Sequence, residues 1–186
     1  MFIRPTFFKY LIKQAAKRHL LRIRNDGENL IIDGGVWLAV IDHFTMPNYA
    51  KACLVEWAGE IPAPGVQIAV EEEGNQIEME TLEIPETAGR LYKPTTIMVW
   101  NNRILQNAER DLALCNFDFT DTIAKTEIET ARGESDVEGP YVDRDHVTWK
   151  NNRMLLQCRR AYATEYEHIL TALRGVDLGP AFSEGE

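Results

Sequence analysis

The chain contains no apolar run approaching the ~18–20 residues needed to cross a bilayer. Its first 24 residues also lack the uninterrupted apolar core of a signal peptide, because Lys and Arg interrupt them. These absences predict an intracellular, cytoplasmic protein with no membrane partner. Cysteine is scarce: Cys53, Cys115 and Cys158 are an odd, widely spaced set without a C-x-x-C, which argues against a disulfide framework and for buried free thiols. No G-x-S-x-G elbow, P-loop, H-E-x-x-H or Cys/His cluster occurs, so the motifs of nucleophilic, nucleotide and zinc chemistry are missing. The sequence therefore predicts no cofactor and no metal. Glu165-x-x-His168 has the spacing of a di-iron ligand pair, but no second pair exists to complete such a site, and His168 reads as structural.

The opening stretch combines many positive charges with no negative one. Residues 1–24 carry Arg4, Lys9, Lys13, Lys17, Arg18, Arg22 and Arg24 and no Asp or Glu, whereas the rest of the chain holds all 29 acids. With 20 Lys+Arg in total the net charge is −9, so a basic segment fronts an acidic body. That balance disfavours indiscriminate binding to nucleic acid while permitting a local basic patch.

Periodicity supplies the fold. Phe8, Leu11, Ile12, Ala15 and Ala16 recur at helical spacing from Pro5 to Arg18, with Lys9, Lys13 and Lys17 as a stripe beside them. The period then falls to two, and turns at Asp26-Gly27 and Gly34-Gly35 divide residues 21–41 into three antiparallel strands. A short helix around Tyr49, Cys53 and Trp57 ends at Gly59. Residues 66–84 read as a long acidic hairpin with a bulge near Thr81. Residues 85–94, bounded by Pro85 and Pro94, read as a linker. Beyond it the sequence predicts a strand over 95–100 and a helix capped by Asn101 or Asn102 carrying Ile104, Leu105, Ala108 and Leu112. A strand from about Asn116 towards Ile128, an acidic loop over 132–146 and a long amphipathic helix from Asn151-Asn152 to Gly175 complete the pattern. The expected fold is α+β: amphipathic helices packed on antiparallel sheets in two small lobes, 1–84 and 95–186. Trp100-Asn101-Asn102-Arg103-Ile104-Leu105 is echoed by Trp149-Lys150-Asn151-Asn152-Arg153-Met154-Leu155, which predicts a shared strand-to-helix junction.

Two surfaces carry the candidate chemistry. Lys9, Lys13, Lys17, Arg18, Arg22 and Arg24 could neutralise phosphates, or pair with the acidic body as a solvated face. Glu71, Glu72, Glu73, Glu134, Asp136, Glu138, Asp143 and Asp145 could imitate a phosphate backbone toward a basic protein groove, or form ordinary negative surface.

Residues 5–41, a basic helix followed by R-I-R-N-D-G-E-N-L-I-I-D-G-G, resemble the opening of small proteins carried by bacteriophages and related mobile elements. The same plan is similar to half of a sliding-clamp subdomain, in which a basic helix lies across antiparallel strands and faces DNA. The resemblance implies a non-catalytic binding protein, a phage-type accessory or anti-defence (anti-CRISPR-like) factor. Such a factor would engage a nucleic-acid-processing machine, with a protein partner and contact to nucleic acid through the basic helix. Two alternatives stand beside it: a clamp-like DNA-binding accessory, and a small hydrolase or nuclease with a dispersed carboxylate site among Asp136, Asp143 and Asp145.

Overall fold

The computed structural model describes residues 1–77, 81–121, 123, 135–161 and 164–179. The chain is α+β, with strand outweighing helix, and it divides into two compact units. The first comprises Met1–Glu86, Ala124–Val137 and Lys150–Gln157, and the second Thr87–Ile123, Glu138–Trp149 and Cys158–Glu186. Each unit thus draws on separated parts of the chain.

In the first unit, helix α1 (Pro5–Lys17) leads into strands β1 (Arg22–Asn25), β2 (Asn29–Asp33) and β3 (Trp37–Asp42), then helix α2 (Asn48–Ala58) and strands β4 (Gln67–Glu71) and β5 (Gly74–Ile77). The strand order is β5-β4-β1-β2-β3, followed by β11 (Met154–Arg159). The β1–β2, β1–β4, β2–β3 and β4–β5 pairings are antiparallel, and the register sets Arg22 against Asp33 and Ile23 against Ile32. The meander matches the sequence reading because Asp26 and Asp33 turn the chain with their own carboxylates: Asp26 accepts the N–H groups of Glu28 and Asn29, and Asp33 that of Gly35. Phe8 and Ile12 of α1, Leu54 of α2, and Ile23, Leu30 and Ile32 of the strands form the core, each at most 1% exposed. A smaller cluster, Ile31, Val40 and Leu82, involves alternate positions of β2 and β3. The expected hairpin over 66–84 is shorter than predicted. Strands β4 and β5 pair tightly around Glu72 and Glu73; residues 78–80 lie outside the described residues, and 81–84 are not strand.

The second unit departs further from expectation. It contains β6 (Arg90–Val99), β7 (Asn102–Asn107), β8 (Leu112–Asn116), the short helix α3 (Phe117–Asp121), β9 (Glu138–Val142), β10 (His146–Lys150) up to Trp149, a 3-10 turn (Thr164–Tyr166) and helix α4 (Glu167–Leu173). The strand order is β10-β9-β6-β7-β8. The predicted helix after Asn102 is strand β7. The predicted strand from Asn116 begins as helix α3, because the Asn116 carboxamide accepts the Asp118 N–H (2.9 Å) and caps a helical turn. Part of the predicted acidic loop is strand β9, and the predicted long helix from 151 is strand β11 followed by the short α4. Both Trp-x-Asn echoes are therefore strand–turn–strand junctions, not strand-to-helix ones. Residues 90–94 of the expected linker belong to β6. Its proline is accommodated by a register shift between Pro94 and Met98, where Thr95 Oγ donates to Ile104 O and Arg103 donates to Thr95 O.

Beyond β11 the chain returns to β8: the Ala161 N–H donates to Leu114 O and the Arg160 guanidinium to Leu112 O. Gln106 then clamps the segment after α4, donating to Val176 O and accepting the Leu178 N–H. This return brings the buried Cys115 and Cys158 sulfurs to 3.9 Å. The contact with Cys115, reinforced by burial, pushes the Cys158 thiol well above its usual range. Burial likewise raises Cys53. Because the thiolate is the reactive form, native protein at pH 8 is expected to take up no iodoacetamide, and unfolded protein to take up three equivalents, counted by mass spectrometry. Labelling of native protein at the rate of a free thiol would contradict the buried arrangement.

Candidate functional site

Helix α1 starts where it does because Pro5 needs no N–H partner in the first turn. It ends in a Schellman closure: the Leu20 N–H donates to Ala15 O and the His19 N–H to Ala16 O, each at 3.0 Å. His19 adopts the left-handed φ of 54° that this closure requires. Six of its thirteen residues, Phe7, Phe8, Leu11, Ile12, Ala15 and Ala16, are buried. The opposite face is open, and successive lysines at i, i+4 step about 40° around it over a rise of about 6 Å. Lys9, Lys13, Lys17 and Arg18 are all exposed.

The surroundings of these cations decide whether they are neutralised. Among the described residues no carboxylate lies within 4.0 Å of Lys9, Lys13, Lys17 or Arg18. The Lys13 ammonium lies 5.8 Å from the centroid of the Trp57 ring on α2, which packs against α1. The same face carries Tyr10, half exposed, its ring stacked at 6.1 Å and 20° on that of the buried Phe7. Sequence reasoning missed Tyr10 as a surface group. The signal was present in the i, i+3 spacing of Phe7 and Tyr10, which pairs rings along one side of a helix.

Arg22 and Arg24 part company with the helix cations. They alternate with the buried Ile23 on β1 and are half-buried. Arg22 Nε donates to Asp33 Oδ2 at 3.0 Å, directly across the β1–β2 register, with a second bond from Nη2. Arg24 donates to Leu82 O at 2.6 Å. Both guanidinium groups are thus committed to internal acceptors.

The acidic candidates do not form one cluster within a unit. Glu71, Glu72 and Glu73 are exposed at the β4–β5 turn of the first unit, with Glu71 4.0 Å from His19 Nδ1. Asp136, also exposed, belongs to that unit as well. Glu138, Asp143 and Asp145 belong to the second. There Glu138 accepts the Tyr141 hydroxyl, and Asp143 holds a turn by accepting the N–H groups of Asp145 and His146 at 2.7 Å each. Glu134 lies outside the described residues. Among the described residues no group of three or more His, Cys, Asp or Glu side chains is gathered to hold a metal ion. Glu165 sits on the 3-10 turn and His168 on α4, both exposed. No described helix is long and apolar enough to cross a membrane.

One cleft in the first unit, of about 480 Å³, is lined by Glu28, Asp42, Phe44, Ile84, Lys150 and Arg153 among others. Its cations and anions balance, and Asp42 is occupied in capping Phe44 and Thr45, so it selects no ligand charge. The α1 face, cationic throughout, does. Compared with known proteins, the chain matches no family model and no curated protein sequence.

Proposed function

We propose that the protein works by binding, as an accessory or anti-defence factor of the mobile-element type. In this reading α1 is the surface with which it meets the nucleic acid of the machine it engages. One observation carries the reading. On a chain with nine more acids than bases, the cations of α1 remain exposed and without a carboxylate partner among the described residues. A polyanion releases counterions when it meets such a face, and that release is the main source of phosphate affinity. The acidic remainder repels the same polyanion, so that the cations of α1 must supply the attraction. The helix-then-strands plan of residues 5–41, similar to half of a clamp subdomain, supports the same orientation.

Fluorescence anisotropy with labelled oligonucleotides across a salt series tests this. Lys9, Lys13, Lys17 and Arg18 together predict a slope of log K against log salt of about −3 on single strands, at roughly −0.7 per contact. Absence of binding at low salt defeats the proposal. The exposed turn bearing Glu71, Glu72 and Glu73 favours a second reading, in which an acidic surface occupies a basic protein groove. That version requires binding to a protein and none to free nucleic acid.

A further inference from the structure

Resting on the reading of α1 as a nucleic-acid surface, we infer that its ligand is an unpaired strand and that Tyr10 is the platform on which a base stacks. Three observations converge on this. Tyr10 is 50% exposed, yet its ring is not without support: it lies at 20° to the ring of Phe7, a residue 8% exposed and held in the core. A flat aromatic face is therefore held in place before any ligand arrives, and stacking on it costs little ordering. Around the helix, Tyr10 falls about 20° from Lys17, 60° from Lys13 and 100° from Lys9. The ring and the ammonium groups consequently share one face spanning about 12 Å from Lys9 to Lys17. Cations tracking a backbone beside an exposed aromatic are the pattern by which proteins hold single strands.

The ring argues against a duplex. Paired bases are stacked on one another and offer Tyr10 no free face, whereas an unpaired base can turn onto it. Against a duplex the lysines reach phosphates only, and Tyr10 meets no base. Against a single strand the same lysines follow the backbone while a base turns onto the ring.

The test compares a labelled single strand of about twelve nucleotides with its own duplex, for the wild type, Tyr10→Ala and Tyr10→Phe. The wild type should prefer the single strand. Tyr10→Ala should weaken single-strand binding about 5- to 150-fold, leave duplex binding and the salt slope unchanged because no phosphate contact is lost, and Tyr10→Phe should keep the affinity. Unchanged duplex binding also certifies that the variant is folded. Single-strand affinity that ignores Tyr10→Ala, or a wild-type preference for the duplex, overturns the inference and leaves the α1 reading standing. No binding of either form by the wild type removes both.

Discussion

Replacing Lys9, Lys13 and Lys17 together by glutamate is expected to lower nucleic-acid affinity by about a hundredfold or more at roughly 0.1 M salt. Each lost contact removes about 0.7 logarithmic units there, and reversal adds repulsion. The salt slope should flatten to about −1, the remainder owed to Arg18. Stability should fall by no more than about 1–2 kcal/mol. All three side chains are exposed, Glu and Lys have similar helix propensities, and the cation–π contact of Lys13 with Trp57 is worth only about 0.5–1 kcal/mol at an exposed site. Glu at position 17, in the last turn, costs a further ~0.3–1 kcal/mol against the helix dipole. Arg22→Gln provides the contrasting case. It takes both guanidinium donors from the buried Asp33, so it should cost about 1–3 kcal/mol of stability while leaving affinity intact. Anisotropy and urea unfolding on the same samples separate the two effects. An Arg22→Gln variant that is stable yet binds poorly would mean that phosphates reach the strand as well as the helix.

That separation of Arg22 and Arg24 from the lysines marks where sequence reading ends. The stripe on α1 follows from spacing alone, since a four-residue step keeps side chains on one face whatever they pack against. The fate of the two arginines depends on which strand pairs with β1, in what register, and on Leu82 arriving from 58 residues away. Nothing local encodes either. The same limit accounts for the second unit. Strand β7 buries Ile104, Leu105, Gln106 and Asn107 in succession, and β8 buries Ala113, Leu114 and Cys115. Strands covered on both faces lose the two-residue alternation by which a strand is recognised. In β11 the burial does alternate, at Met154, Leu156 and Cys158. Leu155, partly buried against the Ile31 cluster, hides it by adding an apolar residue out of phase. Asn101-Asn102 and Asn151-Asn152 then read as helix caps, although asparagine serves a tight turn equally well. In the first unit α1 keeps a solvent face and β1 keeps its alternation, and over these two elements pattern and structure agree.

The substitution expected to damage the fold most lies in the stretch that composition marks as a linker. Gly89 has φ +102°, and a Cβ built there would sit 2.2 Å from Val142 O, 2.4 Å from Val142 C and 2.7 Å from Asp143 N. All three are backbone atoms of β9 or its immediate continuation, paired one residue later through Arg90 with Val142 and Leu91 with Tyr141. No side chain can swing aside to admit a methyl group, so Gly89→Ala must part β6 from β9 or abandon the backbone conformation. Overpacking costs about 1–3 kcal/mol and an unsuitable positive φ about 1–3 kcal/mol more, giving about 2–6 kcal/mol in all. Typical domains have only about 5–15 kcal/mol to lose. Gly74→Ala isolates the backbone contribution, because Gly74 has φ +121° and nothing within 4 Å of the added carbon, so it should cost only the ~1–3 kcal/mol of strain. With a slope of about 1–3 kcal/mol/M in urea, the two midpoints should differ by about 1 M, Gly89→Ala being the lower. Equal midpoints would mean that β9 yields to the methyl group. The lower midpoint would mean that glycine at this position serves close contact between two strands, the opposite of the freedom its neighbours Pro85 and Pro94 suggest.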